Sequence, residues 1–190
     1  MENNKERVVI FIDGNNFYHI IKNMFKPSLK LRYLNFEKFI KFLVGDRKLI
    51  RTYYYNAPLD RKKNSQAYAK QQKFFEKLSR IPNFKLVLCR MQKVKIDGKI
   101  TYQIKEDDIH LAVDMVRLAH NNAYDTAILI SSDGDFVPAI QAVKERGKNI
   151  ENVGFETKFS HHLKQECDKF KLLRKGDVTN LFDQVRIKSK

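Results

Sequence analysis

Residues Thr126–Phe136 read TAILISSDGDF. Ala127, Ile128, Leu129 and Ile130 make a short apolar run without a polar interruption, the pattern of a strand covered on both faces of a parallel sheet. Two serines come next, then Asp133 and Asp135 around Gly134, which marks the turn that ends the strand. In an open parallel sheet, functional groups collect just beyond the carboxyl ends of the strands. Two acids at such an edge, in a chain of formal net charge +15, require a positive partner. A divalent metal ion is the partner expected.

The first strand carries the same signature. Arg7–Ile12 (RVVIFI) is β-branched and apolar, and it stops at Asp13-Gly14-Asn15-Asn16. Phe17, Ile20, Ile21 and Met24 then recur at helical spacing, with Asn15 or Asn16 expected as the N-cap. Asp13 therefore sits at a strand end beside a helix N-terminus, whose dipole favours an anion. Further along, Pro27–Leu34 reads as a loop, and a helix over Phe36–Val44 lies between an Asn35 cap and Gly45. A strand over Lys48–Tyr55 comes after it. A basic, glutamine-rich helix over Arg61–Arg80, with Phe74, Phe75 and Leu78 inward, is broken by Pro82-Asn83.

Phe84–Met91 is the third strand, and Lys93–Ile104 alternates around Asp97-Gly98 as a β-hairpin. The helix over Lys105–His120 is expected to turn Ile109, Ala112, Val113, Val116 and Leu118 or Ala119 inward, with Glu106, Asp107 and Asp108 in its first turn. After Ala127–Ile130 come a helix over Val137–Arg146, a β-like run Asn149–Phe155, a short helix near His161–Glu166 and an apolar run Phe170–Leu173. Strands alternating with helices define an α/β class: a three-layer α/β/α sandwich with a mainly parallel central sheet, plus a basic β-hairpin extension. The expected organisation is one domain over residues 1–175 and a basic C-terminal extension over 176–190.

Charge is segregated along the chain. From Arg61 to Lys105, thirteen Lys and Arg stand against Glu76 and Asp97, a net of +11; from Glu106 to Asp135, seven acids stand against Arg117, a net of −6. A polyanion-binding face beside a cation-binding pocket produces this separation. Arg61, Lys62, Lys63, Lys70, Lys93, Lys95, Lys99 and Lys105 are the candidate nucleic-acid contacts. No apolar run approaches the roughly 20 residues of a membrane span. The opening MENNKERVVIF lacks a signal-peptide layout, and Cys89 and Cys167 are too isolated to suggest a disulfide framework or a metal motif. The expected location is the cytoplasm.

Each acidic position has an ordinary explanation when taken alone. Asp13 can cap a helix, Asp107 and Asp108 suit a helix start, and Asp133-Gly134-Asp135 suits a strand-ending turn. Together, beside a basic face, they suit Mg2+ or Mn2+, which bind few protein carboxylates, keep waters and take substrate phosphates. So many acids gathered without a cation would raise one another's pKa values and cost stability. Asp114, at i+6 from Asp108, points about 240° around the helix and suits a salt bridge. Ser131 and Ser132 can orient a carboxylate or a phosphate, or simply end the strand. Tyr53, Tyr54 and Tyr55 read as strand packing, and the five histidines show no ligand or triad spacing.

The motifs FIDGNNFY (Phe11–Tyr18), KEDDIHLAVDMVRLA (Lys105–Ala119) and YDTAILISSDGDFVPAI (Tyr124–Ile140), with GKNIENVGF (Gly147–Phe155) and CDKFKLL (Cys167–Leu173), resemble the NYN domain family of PIN-like nucleases, and within it the LabA-like bacterial branch. Where that branch has a small residue and a valine before its second acid, this chain has Glu106-Asp107-Asp108, closer to the paired aspartates of Regnase-type ribonucleases. The resemblance implies a PIN-like sandwich and Mg2+- or Mn2+-dependent cleavage of RNA. By position it implies Asp13, Asp108, Asp133 and Asp135 as catalytic metal ligands, with Asp107 as a further candidate, and Asn16 as a catalytic-site residue supporting the site or substrate.

The function expected is an endoribonuclease acting through metal-activated water on single-stranded or structured RNA, with a homodimer as one assembly. The alternatives are a non-catalytic RNA-binding or regulatory module, or a nuclease acting on DNA. An aspartyl phosphatase would place a second aspartate where this chain has Asn15.

Overall fold

The computed structural model describes residues 5–26, 30–96 and 99–183, with the side chains of residues 91–105 outside that description. Six strands form one sheet: β1 (Arg7–Asp13), β2 (Lys48–Asn56), β3 (Phe84–Leu88), β6 (Thr126–Ile130), β7 (Asn149–Phe155) and β8 (Lys169–Leu173). Their spatial order is β3-β2-β1-β6-β7-β8 and every pairing is parallel. Two further strands, β4 (Arg90–Ile96) and β5 (Lys99–Lys105), pair antiparallel as a separate hairpin. The hairpin's Asp97-Gly98 turn, and the side chains of Lys93, Lys95, Lys99 and Lys105, lie outside the described residues.

Alternation along the strands splits the core into two layers. Val8, Ile10 and Ile12 of β1, with Ile128 and Ile130 of β6, face α1 (Gly14–Phe25), α2 (Phe36–Val44), α3 (Ser65–Ser79) and α7 (Lys175–Thr179). Val9 and Phe11, with Ala127 and Leu129, face α4 (Asp107–His120), α5 (Val137–Glu145) and α6 (His161–Glu166). This is an α/β/α, PIN-like sandwich with an all-parallel central sheet. Among the described residues, no helix is long and apolar enough to cross a membrane.

The chain winds outward from β1 to β2 and β3, then returns through the hairpin and α4 to the other side of β1. The strand order therefore reverses between β1 and β6, the crevice where doubly wound sheets place their ligands.

Several boundaries differ from expectation for identifiable reasons. The cap of α1 is Asp13, not Asn15 or Asn16; its Oδ1 accepts the Asn16 N–H at 3.0 Å. The helix α3 begins at Ser65, because the Asn64 side chain accepts the Ala67 N–H at 2.8 Å, leaving Arg61–Lys63 in the preceding turn. Gly134 opens a 3-10 turn over Gly134–Phe136 capped by Asp133, which follows the strand end after Ser131 and Ser132.

The inward face of α4 is only partly the expected one: Ala112, Val116, Leu118 and Ala119 pack on the core, and Ile109 and Val113 do not. Asp107, Leu111, Met115 and Ala119, spaced by four, are buried, while Ile109 and Val113 are 66% and 55% exposed. At the C-terminus, Val178, Leu181 and Phe182 are buried, and the Phe182 ring meets Phe25 edge-on at 5.1 Å. The first part of the segment expected to be an extension thus belongs to the core; residues 184–190 lie outside the described residues.

Candidate metal centre

Two elements bring the clustered acids together at the reversal point. Asp13 is the last residue of β1 and shares the parity of Val9 and Phe11, which turns it toward the α4 layer. Asp107 heads the buried stripe of α4, so packing of Leu111 and Met115 on the sheet presses its carboxylate against the strand ends. Asp108, one residue on and about 100° around the helix, stands on the solvent side. One carboxylate oxygen from each of Asp13, Asp107 and Asp108 lies within 4.8 Å of the others.

Hydrogen bonds hold this arrangement in place. Ser131 Oγ donates to Asp13 Oδ2 at 3.0 Å and accepts the Asp133 N–H at 3.1 Å, tying the ends of β1 and β6 together. Asn16 Oδ1 accepts from both the backbone N–H and the hydroxyl of Ser132, at 3.2 and 3.0 Å. The fully buried Asn152 of β7 donates from Nδ2 to the carbonyls of Leu129 and Ser131 at 3.1 and 3.0 Å, clamping the end of β6 from the far side. Asp133 lines the same cleft as the three clustered acids, and Asp135 is exposed, its N–H donated to Asp133 Oδ1 at 3.0 Å.

Burial pushes the Asp13 carboxyl up to about 7, against the Asn16 N–H that favours its anion, and the neighbouring Asp108 charge adds to the rise. Asp108 is pushed up to about 6 by desolvation, then by Asp107, Asp133 and Asp135. Burial likewise raises Asp107. Among the described residues other than Lys63, no Lys, Arg or His forms an ion pair with these carboxylates. A cluster of hard oxygen donors that resists ionisation fits Mg2+ or Mn2+.

These shifts give the site a pH signature. Asp13 and Asp108 have folded-state pKa values, about 7 and about 6, above their ordinary 3.8. The folded chain therefore holds protons that the unfolded chain has released, and in chelator its stability falls as pH rises from about 4 to about 7. Bound metal removes that penalty, and its affinity grows as the ligands deprotonate. Thermal melts should show Mn2+ raising Tm far more at pH 8 than at pH 5; an equal shift at both pH values would contradict this origin.

The cleft containing the acids has a volume of about 870 Å3. Its walls also carry Asn15, Asn16, His19, Lys63 and Lys158. Of the basic residues expected at the substrate, Lys63 reaches this cleft, Arg61 and Lys62 are exposed on the turn before α3, and Lys70 lines an adjoining pocket. Asp114 stands apart, paired with Arg117 at 2.7 Å and accepting the Tyr55 hydroxyl at 3.0 Å.

Lys158, His19 and Asn152 were not singled out from sequence. Lys158 lies just past β7, so its place beyond a parallel strand end was the available signal. His19 shares a helix face with Asn15 and Asn16, four and three residues earlier. Asn152 carried no signal, being one polar residue in an apolar run.

An open parallel sheet with helices on both faces and an acid cluster at its topological switch defines the PIN-like class. The NYN domain model matches residues 7–173, and the chain belongs to the NYN domain family, whose members are generally nucleases. The crystal structure of VPA0982 from Vibrio parahaemolyticus, a protein of unknown function, superposes with a TM-score of 0.64 at 19% identity, covering 91% of this chain and 96% of that one, which shows a shared fold. The uncharacterised protein MJ0482 of Methanocaldococcus jannaschii is 41% identical over 61 residues, 32% of this chain; the match spans only a quarter of that relative's length.

Proposed function

We propose that the chain is a Mg2+- or Mn2+-dependent endonuclease that hydrolyses RNA phosphodiester bonds. The observation that carries this reading is the convergence of Asp13, Asp107 and Asp108 within 4.8 Å at the sheet's topological switch. Asp13, Asp107 and Asp108 would hold the ion, with Asp133 beside them and Asp135 acting on Asp108 through its charge. When bound, a divalent ion polarises a phosphate oxygen and lowers the pKa of an attacking water.

The chain's own residues supply the rest. Ser131 and the Asn16 N–H fix the Asp13 carboxylate, and Asn16 locks the β1–α1 turn onto Ser132. Lys63 and Lys158 on the cleft wall place positive charge where a phosphodiester backbone would run. RNA as substrate and the LabA-like branch rest on the motif resemblance. A cytoplasmic setting fits two cysteines that are free and buried.

The test is incubation of purified protein with single-stranded and duplex RNA and DNA, in Mn2+, Mg2+ or chelator. RNA cleavage that needs the ion is expected. Asp107→Asn should cost more than tenfold in rate, and more than Asp135→Asn, since Asp107 is buried in the cluster and Asp135 stands outside it. Absence of cleavage on every substrate and ion would leave a nucleic-acid-binding module of the same fold. Cleavage confined to DNA would move the substrate assignment.

A further inference from the structure

A second pocket adjoins the acidic cleft, with a volume of about 760 Å3, within the range of roughly 300–1,000 Å3 typical of ligand sites. The two share Asn15, His19, Leu59 and Ala67 as a common wall. Their chemistry is opposite. The first cleft gathers aspartates, whereas among the described residues the lining of the second contains no carboxylate and carries five cations, among them Lys22, Arg32 and Lys70. Among the described residues none of the five is paired with an Asp or Glu. Its floor is apolar and aromatic, formed by Leu31, Tyr54, Phe74 and Phe75. At the mouth stands Tyr18, 44% exposed, with Lys22 Nζ 5.8 Å from its ring centre.

A track that only followed a phosphate backbone would need cations and no apolar floor. A pocket for a neutral apolar molecule would need the floor and no cations. Cations around an aromatic-walled hollow suit a nucleotide whose base has left its stack, and in a duplex the bases are turned inward and unavailable. Resting on the nuclease reading above, we propose that this pocket seats a nucleotide adjacent to the scissile phosphate, its base against Tyr18 and the floor and its phosphates on Lys22, Arg32 and Lys70. The pocket thereby makes the protein select single-stranded over duplex nucleic acid.

The test compares the wild-type chain with the double variant Tyr18→Ala, Lys22→Glu, both at exposed positions. Fluorescence anisotropy in chelator follows a 12-nucleotide single strand, as RNA and as DNA, against the blunt duplex of the same sequence. The wild type should prefer the single strand, and the variant should lose about tenfold or more in affinity for it. The dependence of binding on salt should become shallower by at least about one unit. The RNA and DNA arms show whether the sugar matters. A 2-aminopurine moved along the strand should change its emission at one position in the wild type and at none in the variant.

Equal affinity for duplex and single strand, or unaltered binding by the variant, would overturn the proposal. Ion-dependent cleavage that the variant leaves unchanged would also overturn it while the nuclease reading stands. Single-strand binding lost in the variant, with no cleavage by the wild type, would uphold the pocket and defeat the nuclease reading.

Discussion

Asp13→Asn is expected to lower the ion-dependent cleavage rate by about a thousandfold or more while leaving the chain folded. The loss is large because the residue supplies the most buried carboxylate of the cluster, and an amide neither carries its charge nor matches its affinity for a hard cation; about 4 kcal/mol of lost transition-state stabilisation corresponds to that factor. Folding should survive for a local reason. Asparagine caps helices as well as aspartate does, so its Oδ1 can still accept the Asn16 N–H and its place beside Ser131 Oγ is kept.

In chelator at pH 8 the variant should be more stable than the wild type, because ionising a carboxyl held at about 7 costs stability there and an amide has no such cost. Single-turnover cleavage and thermal melts on the same preparation check both halves. Cleavage within tenfold of wild type would remove Asp13 from the centre. A melt lowered at pH 8 would mean that its charge stabilises the fold instead.

Gly14→Ala is expected to destabilise the chain by about 3 kcal/mol, a large share of the roughly 5–15 kcal/mol that holds a domain together. A Cβ on Gly14 would lie 2.4 Å from Tyr54 Cε1 and 2.5 Å from the Tyr55 carbonyl oxygen. Neither neighbour can yield cheaply. Tyr54 is fully buried with its ring against Phe36, Phe74 and Phe84, and Tyr55 belongs to β2, paired with β1 on one side and β3 on the other. The strain would fall on the residue after Asp13 and move the cap, so metal-induced stabilisation should shrink as well. Urea titration should show a lower midpoint at unchanged slope. A midpoint within error of wild type would mean that β2 has room to shift.

Much of the site was legible because it depends on local pattern. The run Ala127–Ile130 and the run Arg7–Ile12 announce buried parallel strands, and parallel strands deliver the residues just beyond their carboxyl ends to one edge of the sheet. The helix over Phe36–Val44, with its Asn35 cap and Gly45 at φ +62°, was fully readable, because capping is decided within a few residues. The face of α4 was readable only in part. Both Ile109–Val113 and Leu111–Met115 are plausible apolar stripes, and only the sheet selects between them. That selection also positioned Asp107. Along the chain, Asp13, Asp108, Asp133 and Asp135 were the expected ligands and Asp107 only a further candidate; with Leu111, Met115 and Ala119 facing the sheet, Asp107 is carried inward beside Asp13, and Asp133 lines the cleft wall as the cap of a short turn.

From its sequence alone this chain is an alternating α/β domain with acids at its strand ends and a segregated basic segment, because hydrophobic period, caps and charge are properties of neighbouring residues. Which carboxylates meet, that Ser131 and Asn152 brace them, and that a carboxylate-free aromatic pocket opens beside them were decided by the tertiary structure. The order reversal between β1 and β6 and the packing of α4 bring together residues as far apart in the chain as Asp13 and Ser131, 118 positions, and no local signal carries that distance.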